Sequence, residues 1–349
     1  MNYQKRVVVR APGKLFLMGE YAVLYGAPAI VQAVDRYVVV TVEPSRSSSA
    51  DIEVHSLGAE LPVLEARWGD GLSYAAARPE HSLVMTILDA LCVHGVIDQA
   101  VGGIKCTIDS RELFHNENKL GLGSSAAITH ALSFALFEYA RTEQGSPTVE
   151  IPAGFVFNVH RAFQHGRGSG ADIGAGVMGG TYSFQRVSEH TLPVMESIEL
   201  PGTLQMLPVW VGKPASTSAA LGTLADFQYR HPGQFTSALT PLMEIAHAAT
   251  ASLMSNDAES FITLTEQYGH NLSEFGRTVG VDIVSEAHAT LRKLAAQVGV
   301  VYKPSGAGNG DFGLGYALDI KALRVFAREV EAAGFSSIPL NAGLACHRA

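Results

Sequence analysis

Apolar residues recur along this chain in two rhythms, short runs that alternate with polar positions and longer stretches with helical spacing. Strands are predicted at Val7–Arg10 and over the valine-rich Ala29–Glu43, the latter broken by Gln32-Ala33-Val34-Asp35-Arg36; both suit an early antiparallel sheet. Four serines between Pro44 and Ala50 read as a turn, and Leu57–Glu80, which mixes Gly, Pro and charge, reads as an exposed connection. His81–Val93 has helical spacing, while Ile104, Cys106 and Ile108 alternate with polar residues as in a strand with one buried face. Helices are expected at Ala126–Ala140 and at Ile151–Gln164, the second ending at His165-Gly166, and a strand at Gly180–Gln185 closes the first half. Arg186–Pro201 carries the least pattern and is read as the boundary between domains of residues 1–190 and 191–349. The second half begins with a strand at Leu204–Val211 and continues with helical patterns across 217–300. A strand (Phe312–Leu318), a helix (Ile320–Ala333) and a strand (Ser336–Pro339) follow. With no internal repeat and no low-complexity tract, the pattern gives an α+β class in two domains.

Composition narrows the function classes. The 349 residues are enough for two cores, and 47% hydrophobic against 17% charged residues excludes a disordered chain. A net charge of −8 offers no electrostatic case for nucleic acid or an anionic membrane, so a phosphorylated ligand needs local cations instead of a global field. Cys92, Cys106 and Cys346 form neither metal spacing nor a disulfide framework and read as reduced thiols. The thirteen histidines show no metal-ligand pattern. Met1–Arg6 lacks a signal-peptide pattern and no apolar stretch approaches ~20 residues, so a soluble, cytoplasmic protein is expected.

Candidate chemistry centres on Lys119-Leu120-Gly121-Leu122-Gly123-Ser124-Ser125-Ala126-Ala127, which opens into an apolar helical run. Two glycines allow a tight turn, and the unpaired N–H groups and dipole of the helix start favour an anion there. A Gly-Ser-Ser helix start also serves as a plain cap. By itself Lys14, after Pro12-Gly13, reads as a solvated lysine at a strand end, and Asp172 reads equally as the cap of a following helix.

Two further blocks change these odds: Ala11-Pro12-Gly13-Lys14-Leu15-Phe16-Leu17-Met18-Gly19-Glu20-Tyr21-Ala22-Val23 and Lys303-Pro304-Ser305-Gly306-Ala307-Gly308-Asn309-Gly310-Asp311-Phe312-Gly313. Together with the segment at 119–127, and in this order, they resemble the GHMP superfamily of galactokinase, homoserine kinase, mevalonate kinase and phosphomevalonate kinase, over nearly the whole chain. Tyr21 after Gly19-Glu20, Lys119 before the phosphate segment and Asp311 after Gly310 resemble the phosphomevalonate kinase branch. So do His160–Asp172, with Arg161 where mevalonate kinases carry a metal-binding Glu, and Gly212-Lys213-Pro214-Ala215-Ser216-Thr217. One departure is Asn309, where relatives usually have Gly; Asn is the side chain most tolerant of positive φ.

The resemblance implies an S5-like amino-terminal and a ferredoxin-like carboxyl-terminal domain, with ATP and Mg2+ as partners in catalysis. It implies catalytic roles for Lys14, stabilising transferred charge and pairing with Asp172, and for Asp172, orienting the acceptor. Gly121, Leu122, Gly123, Ser124, Ser125 and Ala126 would cradle the nucleotide, with the Ser125 hydroxyl on Mg2+ and Glu20 either in the second shell of that ion or a structural carboxylate. Lys119, Arg167, Ser169, Lys213, Ser216, Thr217, Ser305, Gly306, Ala307 and Gly308 would bind the acceptor. The implied reaction is ATP-dependent phosphorylation of (R)-5-phosphomevalonate to 5-diphosphomevalonate by a monomer or homodimer. The alternatives are a mevalonate kinase, acting on an alcohol, and a non-catalytic binding protein on the same fold.

Overall fold

The computed structural model describes residues 6–45, 47, 49–59, 61–144, 154–188, 191–213 and 217–349. Its first half runs β1 (Val7–Met18), β2 (Ala29–Pro44), β3 (Ile52–Leu57), β4 (Leu64–Gly69), β5 (Gly71–Ala75), α1 (Ser82–Val93) and β6 (Ile104–Asp109). Then come β7 (Phe114–His115), β8 (Asn118–Lys119), α2 (Ser124–Gln144), α3 (Phe155–Phe163), α4 (Gly174–Met178), β9 (Thr181–Gln185) and β10 (Val194–Ile198). The second half runs β11 (Gln205–Trp210), α5 (Thr217–Arg230), α6 (Pro232–Met254), α7 (Ala258–Val279), α8 (Glu286–Gln297) and β12 (Val301–Pro304). It ends with β13 (Phe312–Ala317), α9 (Ile320–Ala332), β14 (Ser336–Ser337) and β15 (His347–Arg348). The α+β class expected from the pattern is what forms.

A nine-stranded sheet runs β10-β9-β2-β6-β3-β4-β5, with β1 along the other edge of β2 and β15 on β1. The valine-rich β2 is its axis: β9 takes residues 29–32, β6 takes residues 39–44, and β1 covers the opposite edge. A second, four-stranded antiparallel sheet has the order β12-β13-β11-β14. Helix α9 packs on β11 and β13, and a smaller apolar cluster that includes Val209, Leu291, Phe326 and Val330 fills this layer.

Three stretches differ from their sequence reading. Leu57–Glu80, read as an exposed connection, contains the β4–β5 hairpin; Leu64 and Ala66 alternate inward, and Gly69-Asp70-Gly71 supplies the turn. Arg186–Pro201 contains β10, an edge strand that buries only Ile198 and so shows no alternation. The strand at Val7–Arg10 continues to Met18, because a register shift between Pro12 and Gly13 absorbs the motif without ending the ladder.

The two sheets meet through polar contacts to one segment, residues 16–21. Ser305 Oγ donates to Phe16 O at 2.8 Å, Tyr316 OH to Leu17 O at 3.1 Å and Tyr268 OH to Glu20 O at 2.6 Å. Tyr21 OH in turn donates to Ala307 O at 2.6 Å. At the centre Lys303 Nζ, fully buried, pairs with the Glu20 carboxylate and donates to Pro304 O at 3.0 Å. Burial lowers the Lys303 pKa and the Glu20 charge counters it. Replacing Lys303 by Met leaves a buried carboxylate without its cation and is expected to cost about 3–5 kcal/mol in urea unfolding. The double change Lys303→Met, Glu20→Gln should recover much of that loss.

A second buried polar group steadies the third sequence block. His288 Nε2 donates to Gly310 O at 3.2 Å while Tyr302 OH donates to its Nδ1 at 2.9 Å, which holds one neutral tautomer. Burial pushes the imidazole down to about 4; Gly310 O opposes the shift, and Lys213 and Lys303 add to it. An unfolded chain, with an ordinary pKa near 6.5, takes up a proton that the folded chain refuses. The stabilisation is therefore complete above pH 6.5 and is lost as pH falls toward 4, on the order of 3 kcal/mol in all. Urea midpoints should drop across that window, and His288→Gln should flatten the slope.

Candidate functional site

The bulge in β1 aims the first block at the second. Pro12 pairs with Tyr37 but Gly13 with Val34, so the strand kinks and Lys14 N reaches Leu122 O at 2.8 Å. A Cβ on Gly13 would lie 2.9 Å from Leu122 O, so only glycine lets the strand approach this closely. Gly121 and Gly123 take φ of 77° and 76°, which turns the chain into α2. The helix begins at Ser124, two residues earlier than the apolar pattern suggested, so Ser124 and Ser125 occupy its first turn beside N–H groups with no partner within the helix. Lys14 lies along the two glycines, and its Nζ donates to Gly121 O at 3.3 Å.

One cavity of about 610 Å³ gathers the three blocks. Lys14, Glu20, Lys119, Gly121, Gly123, Ser124 and Ser125 line its phosphate-loop side. Arg167, Ser169 and Asp172 line a second wall, and Ser305, Gly306 and Ala307 a third. Water reaches Lys119 at the mouth, yet the crowding protein lowers its pKa; Asp311 counters this and Lys14 adds to it. The Asp172 carboxylate is held by backbone anchoring on both sides. Tyr182 OH donates to Ala171 O at 2.7 Å, and His130 Nε2 donates to Ile173 O at 2.9 Å. Asp172 Oδ1 accepts from Ile173 N at 3.1 Å, but Ile173 and not Asp172 stands at the N-cap of α4 and no side chain caps that helix, so the cap reading of Asp172 is not what forms; its Oδ2 lies 3.9 Å from His160 Nε2.

Other expected site residues are placed elsewhere. Leu122 and Ala126 are buried in the core and are not part of the cavity lining, and Gly308 packs on Ile283 O outside the cavity. Lys213 is exposed and off the lining, joined to the site through its backbone O, which accepts from Asp311 N at 2.8 Å. Ser216 lies outside the described residues, as does the Thr217 side chain. Lys14 and Asp172 share the cavity but form no ion pair; the ammonium is turned to Gly121 O instead. Glu20 lines the cavity and is engaged with Lys303 through Oε1, while its Oε2 is buried without a hydrogen-bond partner.

Several lining residues escaped sequence reasoning. Leu24, Phe163, Ala220 and Leu221 give the cavity an apolar side, and nothing local marks them. Asp311, with φ of 54°, reaches over Gly121, where any Cβ would collide with its carboxylate. Asn309 takes φ of 61°, as its tolerance for that region allows. Among the described residues no cluster of three or more His, Cys, Asp or Glu could hold a metal, and no helix is long and apolar enough to cross a membrane. A hydroxyl at a helix start beside a carboxylate suits Mg2+, which keeps water and phosphate oxygens as most of its ligands. Gly121→Ala is expected to weaken nucleotide-analogue binding at least tenfold in a fluorescence titration. Adding Asp311→Ala should restore only part, since the positive φ alone costs about 1 kcal/mol.

No family model matches the chain. It is 29% identical over 375 residues to a phosphomevalonate kinase of Streptomyces sp. (strain CL190), covering 98% of each chain. A mevalonate kinase of Pyrococcus furiosus is 26% identical over 68% of this chain and 66% of its own. The structure of Streptococcus pneumoniae phosphomevalonate kinase in complex with phosphomevalonate and AMPPNP superposes with a TM-score of 0.74 at 17% identity, over 96% of this chain and 99% of that one. Over its full length, then, this chain is similar in sequence to a phosphomevalonate kinase and shares the fold of the Streptococcus pneumoniae enzyme, with its three sequence blocks lining one cavity.

Proposed function

We propose that the protein transfers the γ-phosphoryl group of ATP to a phosphate oxygen of (R)-5-phosphomevalonate, giving 5-diphosphomevalonate and ADP. The observation that carries this reading is the meeting of three cations, Lys14, Lys119 and Arg167, with the phosphate loop and Asp172 around one cavity. An alcohol acceptor calls for a base, whereas an anionic acceptor calls for positive charge to bring two phosphates together. The full-length similarity to a phosphomevalonate kinase supports the same choice.

In this reading the N–H groups at the start of α2 and the glycine turn hold the triphosphate. Lys14, lying along Gly121 and Gly123, neutralises charge that develops on the transferred group. Lys119 and Arg167 take the acceptor phosphate, and Asp172 orients it. An oxygen of that phosphate bonds to the γ-phosphorus as the bond to the β,γ-bridging oxygen breaks and ADP departs. Mg2+, held by the Ser125 hydroxyl, would supply charge neutralisation on the phosphate oxygens. Two domains, S5-like and ferredoxin-like, meeting at the Glu20–Lys303 seam are part of the proposal; the division expected between residues 190 and 191 is placed a few residues later, just after β10, because β10 pairs with β9 in the larger sheet.

ADP release with ATP, Mg2+ and, in turn, 5-phosphomevalonate, mevalonate or no acceptor tests the reading. Turnover with 5-phosphomevalonate alone is expected; turnover with mevalonate alone would overturn the acceptor assignment and leave a mevalonate kinase. Lys119→Met removes a charge-assisted contact worth about 1.5–3 kcal/mol and should raise the acceptor KM ten- to a hundredfold. Asp172→Asn should act on kcat instead.

A further inference from the structure

We infer that His160 is a positioning residue that couples the donor and acceptor halves of this site, an inference that rests on the phosphoryl-transfer reading above. His160 stands in α3, on neither the phosphate loop nor the aspartate turn, and its side chain is 1% exposed. Its Nε2 lies 3.1 Å from Ser125 Oγ and 3.9 Å from Asp172 Oδ2. A single imidazole nitrogen therefore stands between the hydroxyl assigned to the metal and the carboxylate assigned to the acceptor. Both partners line the cavity, whereas His160 does not, so it acts through them and not on substrate.

The physical consequence is restraint on two rotors. A serine hydroxyl in the first turn of a helix has several staggered positions and a freely turning proton. The bond to Nε2 holds the Ser125 hydroxyl, on a residue that lines the cavity, in one of those positions, whichever ring nitrogen carries the proton. Asp172 has its Oδ1 tied to Ile173 N and its backbone neighbours tied by Tyr182 and His130. Oδ2 is the end left to be placed, and the imidazole is the wall it rests against at ion-pair distance. Removing the ring nitrogen while keeping the volume frees the serine rotor and takes away the polar atom that faces the carboxylate end, though not the wall. Outer groups of this kind typically change metal affinity or activity ten- to a hundredfold.

Three variants test this. His160→Phe fills the space without a polar atom, and His160→Gln places an amide that can donate or accept near the Nε2 position. His160→Asn reaches only the Nδ1 position and serves if the Phe variant does not fold. The readouts are kcat and acceptor KM, the thermal midpoint, and ADP affinity by calorimetry with and without Mg2+. We expect the Phe or Asn variant to lose kcat thirtyfold or more with acceptor KM within threefold. We also expect it to lose most of the gain in ADP affinity that Mg2+ brings, at a thermal midpoint within a few degrees of the parent. The Gln variant should recover kcat to within tenfold and restore the Mg2+ gain. In a Ser125→Ala background, His160→Phe should leave the remaining Mg2+ effect unchanged. Equal losses in the Gln and Phe variants, or an unchanged Mg2+ gain in the Phe variant, would overturn the inference and leave His160 a core residue. Absence of turnover in the parent protein would instead count against the phosphoryl-transfer reading, while the Mg2+-dependent ADP titration would still decide the role of His160.

Discussion

The buried pair of Glu20 and Lys303 fixes how the two sheets meet, and the cavity exists only because they meet there. An ammonium and a carboxylate withdrawn from water are tolerated when each neutralises the other; Lys303 Nζ also donates to Pro304 O, whereas Glu20 Oε2 is buried without a hydrogen-bond partner. The requirement is directional, unlike apolar packing, so it selects one docking of β12 against the end of β1. Tyr268, Tyr316 and Ser305 reinforce the choice by donating to consecutive parts of the same segment. Apolar contacts around Tyr21, Phe235 and Phe275 supply adhesion without setting the register.

From that docking the site follows. Ser305, Gly306 and Ala307 are carried over the phosphate loop by the strand that bears Lys303, and Tyr21 closes the contact on Ala307. The kink at Gly13 brings Lys14 to the glycines from the other side. Preorganisation is visible in the backbone: Tyr21 and Asp311 hold positive φ in the lining of one cavity, conformations that persist only where surrounding contacts impose them. A site for charge transfer benefits from such rigidity, because donors already in place need no rearrangement as charge develops.

Buried histidines illustrate how the same side chain serves different ends. His288 and His130 each donate to a backbone carbonyl and are pushed down to about 4 by burial, which makes them neutral struts. His160 faces two side chains of the cavity wall, and that difference in partners, not burial, sets it apart.

Much of this was legible in the sequence wherever the chemistry is local. Glycines at 121 and 123, a lysine after Pro12-Gly13 and a Ser-Gly-Ala-Gly turn at 305–308 announce tight turns and anion contacts within a few residues of one another. Alternation gave the strands with one buried face, but it could not reveal β10, an edge strand with one buried residue, or β4, hidden among charges. Pairings across long stretches of chain were beyond it: Glu20 with Lys303, Asp311 over Gly121, and His160 between Ser125 and Asp172. Nor could it show that Lys14 turns to Gly121 O and leaves Asp172 alone, or that Lys213 stays outside the cavity. The sequence by itself determined the α+β class, most of the elements and which segments have the backbone freedom and side-chain chemistry to suit an anion, because these depend on neighbouring positions. Which of them share a cavity was decided only by the tertiary structure, because a buried ion pair between residues 20 and 303 depends on distance in space and not along the chain.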